Sequence, residues 1–243
     1  MALTNYRDDL EIATAERYKK AIPLPLRVLA TIISTIFHPL FVLSYAYILL
    51  AFFNPFLFGE ASVERIFAFG KLNSKGLLFV HLLSFSCIIP LVGVFLMRGL
   101  GMVKTLSLTT QDERKIPYIL AGIFYMGLVA QNSTTGLPME IKIFTIGATI
   151  ALFVAFFINL FTKISMHTVG MGGFLAMIII IIAKSYGGAE FLLIFGILAC
   201  GLVATCRLLL GAHQVSDIYG GFFVGFLAQF VAVSYMLSTQ PIT

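Results

Sequence analysis

Long apolar stretches separated by short polar segments set the pattern of this chain. A bilayer's hydrocarbon core takes about 20 apolar residues of helix. That length predicts spans near 28–53, 76–98, 117–135, 140–161, 167–184, 189–210 and 213–237. Arg27 and Asn54-Pro55 bracket the first, and 59–75, carrying Glu60, Glu64, Arg65, Lys71 and Lys75, reads as a loop. The third is the most polar, because Gln131, Asn132, Ser133 and Thr134 close it; a re-entrant turn there would reduce seven spans to six. The expected fold is an all-α polytopic membrane protein, a bundle of six or seven transmembrane helices. Residues 1–27 form a polar tail and 28–243 a single transmembrane domain. Gly221-Phe-Phe-Val-Gly225 spaces small residues so that helices can approach closely. Packing within the bundle is the expected use, with Gly170, Gly172 and Gly173 doing the same for the fifth span.

Composition agrees with the pattern. Of 243 residues, 59% are hydrophobic and 11% charged, with mean hydropathy +0.99. Soluble domains carry about 25% charged residues, so a water-soluble globule is excluded. Cys87, Cys200 and Cys206 all lie in apolar stretches, which fits neither a disulfide framework nor a zinc pattern. The net charge of +5 sits largely in loops, where it sets topology rather than binding nucleic acid. The first apolar run is too long for a cleaved secretory signal.

Ionisable residues at membrane depth are costly and default to functional candidates. Here they gather at three loop–helix junctions. Arg114 and Lys115 precede the third span, Lys163 and His167 open the fifth, Arg207 closes the sixth, and His213 and Asp217 open the seventh. Two crossings separate each junction from the next, so all three share one side of the membrane. His213 and Asp217, four residues apart, fall on one helix face. The carboxylate can accept the imidazole Nδ1–H and leave Nε2 free, which aims a histidine nucleophile. Arg207 and Arg114 suit forked recognition of phosphate. Ser165 offers a hydroxyl donor and His167 a general acid. Singly, each has a bland reading: a structural His–Asp hydrogen bond, or a snorkelling arginine. Their co-occurrence on one face points to a site. His38 and His81, inside apolar runs with no charged neighbour, read as hydrogen-bonded bundle histidines.

Cys206-Arg207-Leu-Leu-Leu-Gly-Ala-His213-Gln-Val-Ser-Asp217 resembles the third signature of the type 2 phosphatidic acid phosphatases, Ser-Arg-x5-His-x3-Asp, shared with the vanadium haloperoxidases. Ile164-Ser165-Met166-His167 is similar to the second signature, Pro-Ser-Gly-His, and Asp112-Glu-Arg114-Lys-Ile-Pro117 to the tail of the first, Lys-x6-Arg-Pro. The likeness covers about 76–237. It implies a phosphatase in which His213 forms a phosphohistidine, Asp217 orients it, and His167 protonates the leaving group and later activates water. It also implies that Arg114, Ser165 and Arg207 hold phosphoryl oxygens, and that neither metal nor cofactor is needed. The chain departs from the pattern at Ser107, where the first signature has lysine, and at Ile164, Met166 and Cys206. Lys163 is the candidate to supply the missing ammonium.

The substrate expected from the resemblance is a lipid phosphate or diphosphate, of polyprenyl or phospholipid type, reached from the bilayer of a bacterial plasma membrane. A phosphotransferase is a close variant. The alternative is a catalytically silent member acting as a membrane binding or assembly subunit, which the altered first and second signatures favour. A proton-relaying transporter ranks last, because no inverted repeat or broken-helix pair is visible. The side with the site carries Arg7, Arg17, Lys19, Lys20, Arg27, Arg98, Lys104 and Lys115; the other carries Arg65, Lys71, Lys75, Lys142 and Lys184. Eight against five points to a cytoplasmic site, whereas many members of the resembled family work on the outer face. Sidedness stays open.

Overall fold

The computed structural model describes residues 13, 16–17, 21–60, 62–63, 73–103, 106, 108, 110–184 and 190–239. Most of the 1–27 tail, Glu64, Arg65 and Lys71 of the 59–75 loop, and Lys104 and Ser107 lie outside them. The described residues form eight helices: α1 (Leu24–Ile36), α2 (Pro39–Phe53), α3 (Ser74–Gly99), α4 (Gln111–Ala130), α5 (Met139–Phe161), α6 (Met166–Ala183), α7 (Glu190–Leu209) and α8 (Val215–Thr239). Five of them, α3 and α5–α8, are long and apolar enough to cross a membrane, and the pair α1 and α2 makes a sixth if taken as one broken span.

The first span is not continuous. α1 and α2 meet at 64°, because Pro39 disfavours helical backbone at the residue before it, and His38 is extended (φ −66°, ψ 137°). The third also differs from expectation. α4 begins at Gln111 and ends at Ala130, and Gln131–Thr134 form turns rather than helix. A capping box starts it: the Thr110 hydroxyl accepts from Glu113 N–H and the Glu113 carboxylate from Thr110 N–H, each at 3.4 Å. α4 has the length of a span, but Asp112, Glu113, Arg114 and Lys115 in its first turns make it less apolar than its neighbours. It runs antiparallel to α5 from end to end. At one end Gln111 Nε2–H donates to Asn159 O (2.8 Å) and Asn159 Nδ2–H to Gln111 O (3.2 Å); at the other, Asn132 Nδ2–H donates to Lys142 O (3.3 Å).

α5 and α6 are the most buried helices and form the centre. α6 and α8 pack most closely, and the glycines explain it. A Cβ at Gly225 would stand 1.9 Å from Val169 O, and one at Gly172 would stand 2.4 Å from Phe222 O. The small-residue pattern therefore serves contact within the bundle. Gly221 faces Thr168 and Ser165 in the same way. α1 packs on α7 and α2 on α6, so the broken span braces two helices of the core. α3 holds a π-turn at Ser84–Ile88, just ahead of Pro90, whose missing N–H breaks the regular ladder. Outward-facing Phe95, Leu96, Ile123, Phe157, Phe223 and Val231 are exposed, an apolar belt suited to lipid rather than water.

Candidate functional site

The three junctions do converge at one end of the bundle. Arg114 Nη1–H donates to Ile164 O at 3.3 Å, tying the start of α4 to the α5–α6 turn. Ser165 N–H donates to Asp217 O at 3.2 Å, tying that turn to α8. The close approach at Gly221 allows this second contact. Gly211, at φ +59°, turns the chain between α7 and α8, a left-handed conformation that glycine adopts without a Cβ clash.

His213 stands in that turn. Its Nδ1–H donates to Asp217 Oδ2 at 3.2 Å, and the same oxygen accepts Gln214 N–H at 3.1 Å. The carboxylate thus fixes one tautomer and leaves Nε2 with its lone pair. Burial pushes the His213 imidazole well below its usual pKa range; Arg114 and Arg207 push the same way and the Asp217 hydrogen bond opposes them. A neutral, oriented imidazole is what a nucleophile at phosphorus requires.

His167, in the first turn of α6, hydrogen-bonds the Ser34 carbonyl of α1 through Nε2 at 3.0 Å. A carbonyl accepts only, so Nε2 carries the proton and Nδ1 is left for proton exchange. Arg114 is buried and also donates through Nε to Leu108 O at 2.8 Å. Leu108 holds φ +47° to present that carbonyl, a conformation unfavourable for a residue with a Cβ. Arg207, in the last turn of α7, has a buried Nε with no partner. It lies near enough to Arg114, His167 and His38 for their charges to interact.

A cavity of about 220 Å³ joins these groups. Its polar wall holds His38, Arg114, His167, Arg207 and His213, and among the described residues no carboxylate lines it. Below them the wall is apolar, from Val42 and Leu43 through Pro90 and Leu91 to Ala148 and Phe144, with Tyr118, Tyr125 and Gln229 as its deeper polar members. From Arg114 to Tyr125 the α4 wall descends roughly 16 Å at 1.5 Å per residue. At the other end of the bundle charges meet opposite charges, Glu60 with Lys75 and Glu140 with Lys184 (3.6 Å). At the cavity the guanidinium groups of Arg114 and Arg207 both line one space. Among the described residues no group of three His, Cys, Asp or Glu is placed to hold a metal ion.

Four of the seven residues singled out from sequence, Arg114, His167, Arg207 and His213, line the cavity, and Asp217 backs His213. Two expectations need correction. Ser165 is fully buried and not part of the cavity wall; its backbone joins α8, and its Oγ has no partner. Lys163 is half-exposed and also off the wall, on the Asp217 side, where its charge bears on that carboxylate. It is therefore not an ammonium facing the cavity. Conversely, His38 is hydrogen-bonded as expected, its Nδ1 accepting Leu40 N–H, but it also belongs to the cavity wall. The bend at Pro39 carries its ring into the wall, 5.3 Å from the His167 ring. A histidine directly before a mid-span proline was the sequence signal for it. His81 lies off the cavity wall, packed on Phe85, but its buried Nε2 has no partner, so the hydrogen bond expected of it is not seen there. No protein-family model, curated protein or solved structure matches this chain.

Proposed function

We propose that this chain is a divergent member of the type 2 phosphatidic acid phosphatases, which hydrolyses a lipid phosphate or diphosphate in a bacterial plasma membrane through a phosphohistidine. One observation carries the reading: a cavity walled at its head by two arginines and three histidines opens below into an apolar shaft. Guanidinium groups converging on one pocket present forked donors that suit a phosphate. A phosphoryl group supplies the acceptor oxygens, and a hydrocarbon chain suits the shaft. α3 lines that shaft with Pro90 and Leu91 and turns Val92, Phe95 and Leu96 outward. The substrate's natural approach is sideways from the bilayer.

In this scheme Arg114 and Arg207 hold the non-bridging oxygens and neutralise charge as it develops. His213 Nε2 attacks phosphorus; the N–P bond forms and the P–O bond to the lipid breaks. His167, protonated at Nδ1, gives that proton to the departing alkoxide, or to the departing phosphate of a diphosphate. Water then attacks phosphorus, His167 Nδ1 takes its proton, and the N–P bond breaks to release phosphate. Asp217 keeps the proton on His213 Nδ1 throughout.

The test uses purified protein in detergent with chelator present. A prenyl diphosphate, a prenyl monophosphate and a diacylglycerol phosphate are offered in turn. Phosphate release from at least one is expected, with an acid-labile phosphoenzyme, and His213→Ala should lower it by on the order of 10³-fold or more. Tight binding with no release from any of the three would instead make the chain a lipid phosphate binder.

A further inference from the structure

His38 belongs to a different element from the three junctions, and its position is set by local rules. Pro39 forces it out of helical geometry, and its Nδ1 then accepts Leu40 N–H at 3.4 Å, capping α2. A ring nitrogen accepting from an amide is unprotonated, so in the neutral ring the proton is on Nε2. Among the described residues no hydrogen bond uses that Nε2. The ring lines the cavity, edge-on to His167. Immediately after it on α2 come Pro39, Leu40, Val42 and Leu43, all lining the apolar part. His38 thus stands at the seam between the charged head of the cavity and its shaft. In a lipid phosphate seated head to head and chain to shaft, that seam is where the oxygen bridging phosphorus and lipid must lie.

We propose that His38 is a further catalytic residue, donating from Nε2–H to the bridging oxygen beside His167 and selecting for esters with poor, alkoxide-type leaving groups. The inference rests on the phosphatase reading above. The two histidines do not compete. An ester oxygen has two lone pairs, so it can take the His167 proton on one and the His38 hydrogen bond on the other, and the bond strengthens as negative charge grows there. An aryl ester, whose phenoxide leaves without such help, gains little from either.

The experiment compares a prenyl monophosphate with an aryl phosphate in wild type, His38→Asn and His38→Ala. Asparagine keeps an acceptor for Leu40 N–H and so preserves the cap, while withdrawing the ring donor; melting temperature in detergent checks the fold. Loss of a donor to a developing oxyanion costs on the order of 10²-fold in kcat. That loss is expected for the prenyl ester in both variants, with the aryl ester within about threefold of wild type and vanadate inhibition unchanged. Equal losses on both esters, or none on either, overturn the role of His38 while leaving the phosphatase reading intact. Wild-type protein that hydrolyses neither ester overturns both.

Discussion

At the scale of single residues, the pair His213 and Asp217 shows what a sequence can disclose. The spacing suggested a shared helix face, but His213 lies in the turn just ahead of α8, and the Nδ1–Oδ2 contact forms because Asp217, in the first turn, reaches back to it and to Gln214 N–H. Arg114 and Arg207 were legible because charge inside apolar sequence is rare enough to be noticed. The wall position of His38 and the withdrawal of Ser165 and Lys163 depend on how a bend and a turn are packed, which no local spacing encodes. The unpartnered Nε of Arg207 beside Arg114 leads to a measurable opposition between stability and binding. Arg207→Gln removes a half-buried charge whose buried Nε has no partner, so its melting temperature without anion should rise. In wild type, vanadate or phosphate at a hundred times Kd should add about 2.7 kcal/mol of stability, and the variant should lose that gain. A variant that melts lower and still responds to anion would contradict a charge held at a cost.

At the scale of elements, all seven apolar stretches are helices, and most boundaries fall within a few residues of those expected. Two details escaped. The break at His38-Pro39 was in plain view as a dipeptide, yet hydropathy averaged across it. The polar close of the third span was counted as helix, because a window cannot tell a polar turn from a polar helix end. The small residues of α8 were read for close packing, and the α6–α8 contact lets two of its glycines be separated. Gly225→Ala would drive a methyl group to 1.9 Å from the Val169 carbonyl, whereas Gly220, five residues earlier and on another face, has nothing within 4 Å. Overpacking of this kind costs about 1–3 kcal/mol. Gly225→Ala should melt clearly below wild type in detergent and lose activity as α8 shifts, while Gly220→Ala stays close to wild type. Similar melting of the two variants would mean that α6 and α8 are not seated this closely.

At the scale of the whole molecule, counting crossings led to the expectation of one shared side, and the hydrogen bonds linking α4, the α5–α6 turn and α8 gather the charged junctions at one end of the bundle. The depth of the cavity was not legible, since it is an absence of side chains produced by seven helices together. Ala148 on α5 lines it eleven residues from Asn159, roughly 16 Å below the head of the cavity. Ala148→Phe should therefore act as a floor. KM for long-chain phosphates should rise about tenfold, the size of effect that a few excluded methylenes produce, with short-chain analogues unaffected. Equal KM changes for both would place the chain outside the shaft.

The elbow between α1 and α2 bears on what counts as the smallest working piece of this protein. The signatures that first drew attention begin only after residue 76, and a fragment chosen by them would omit everything before it. Yet the Ser34 carbonyl that engages His167, the His38 ring and the Leu40–Leu43 side of the shaft all belong to the opening quarter of the sequence. Without it the pocket would lose that side of its wall, and His167 its Ser34 carbonyl partner. The opening elbow is a structural part of the site, as much as the helices that carry the arginines.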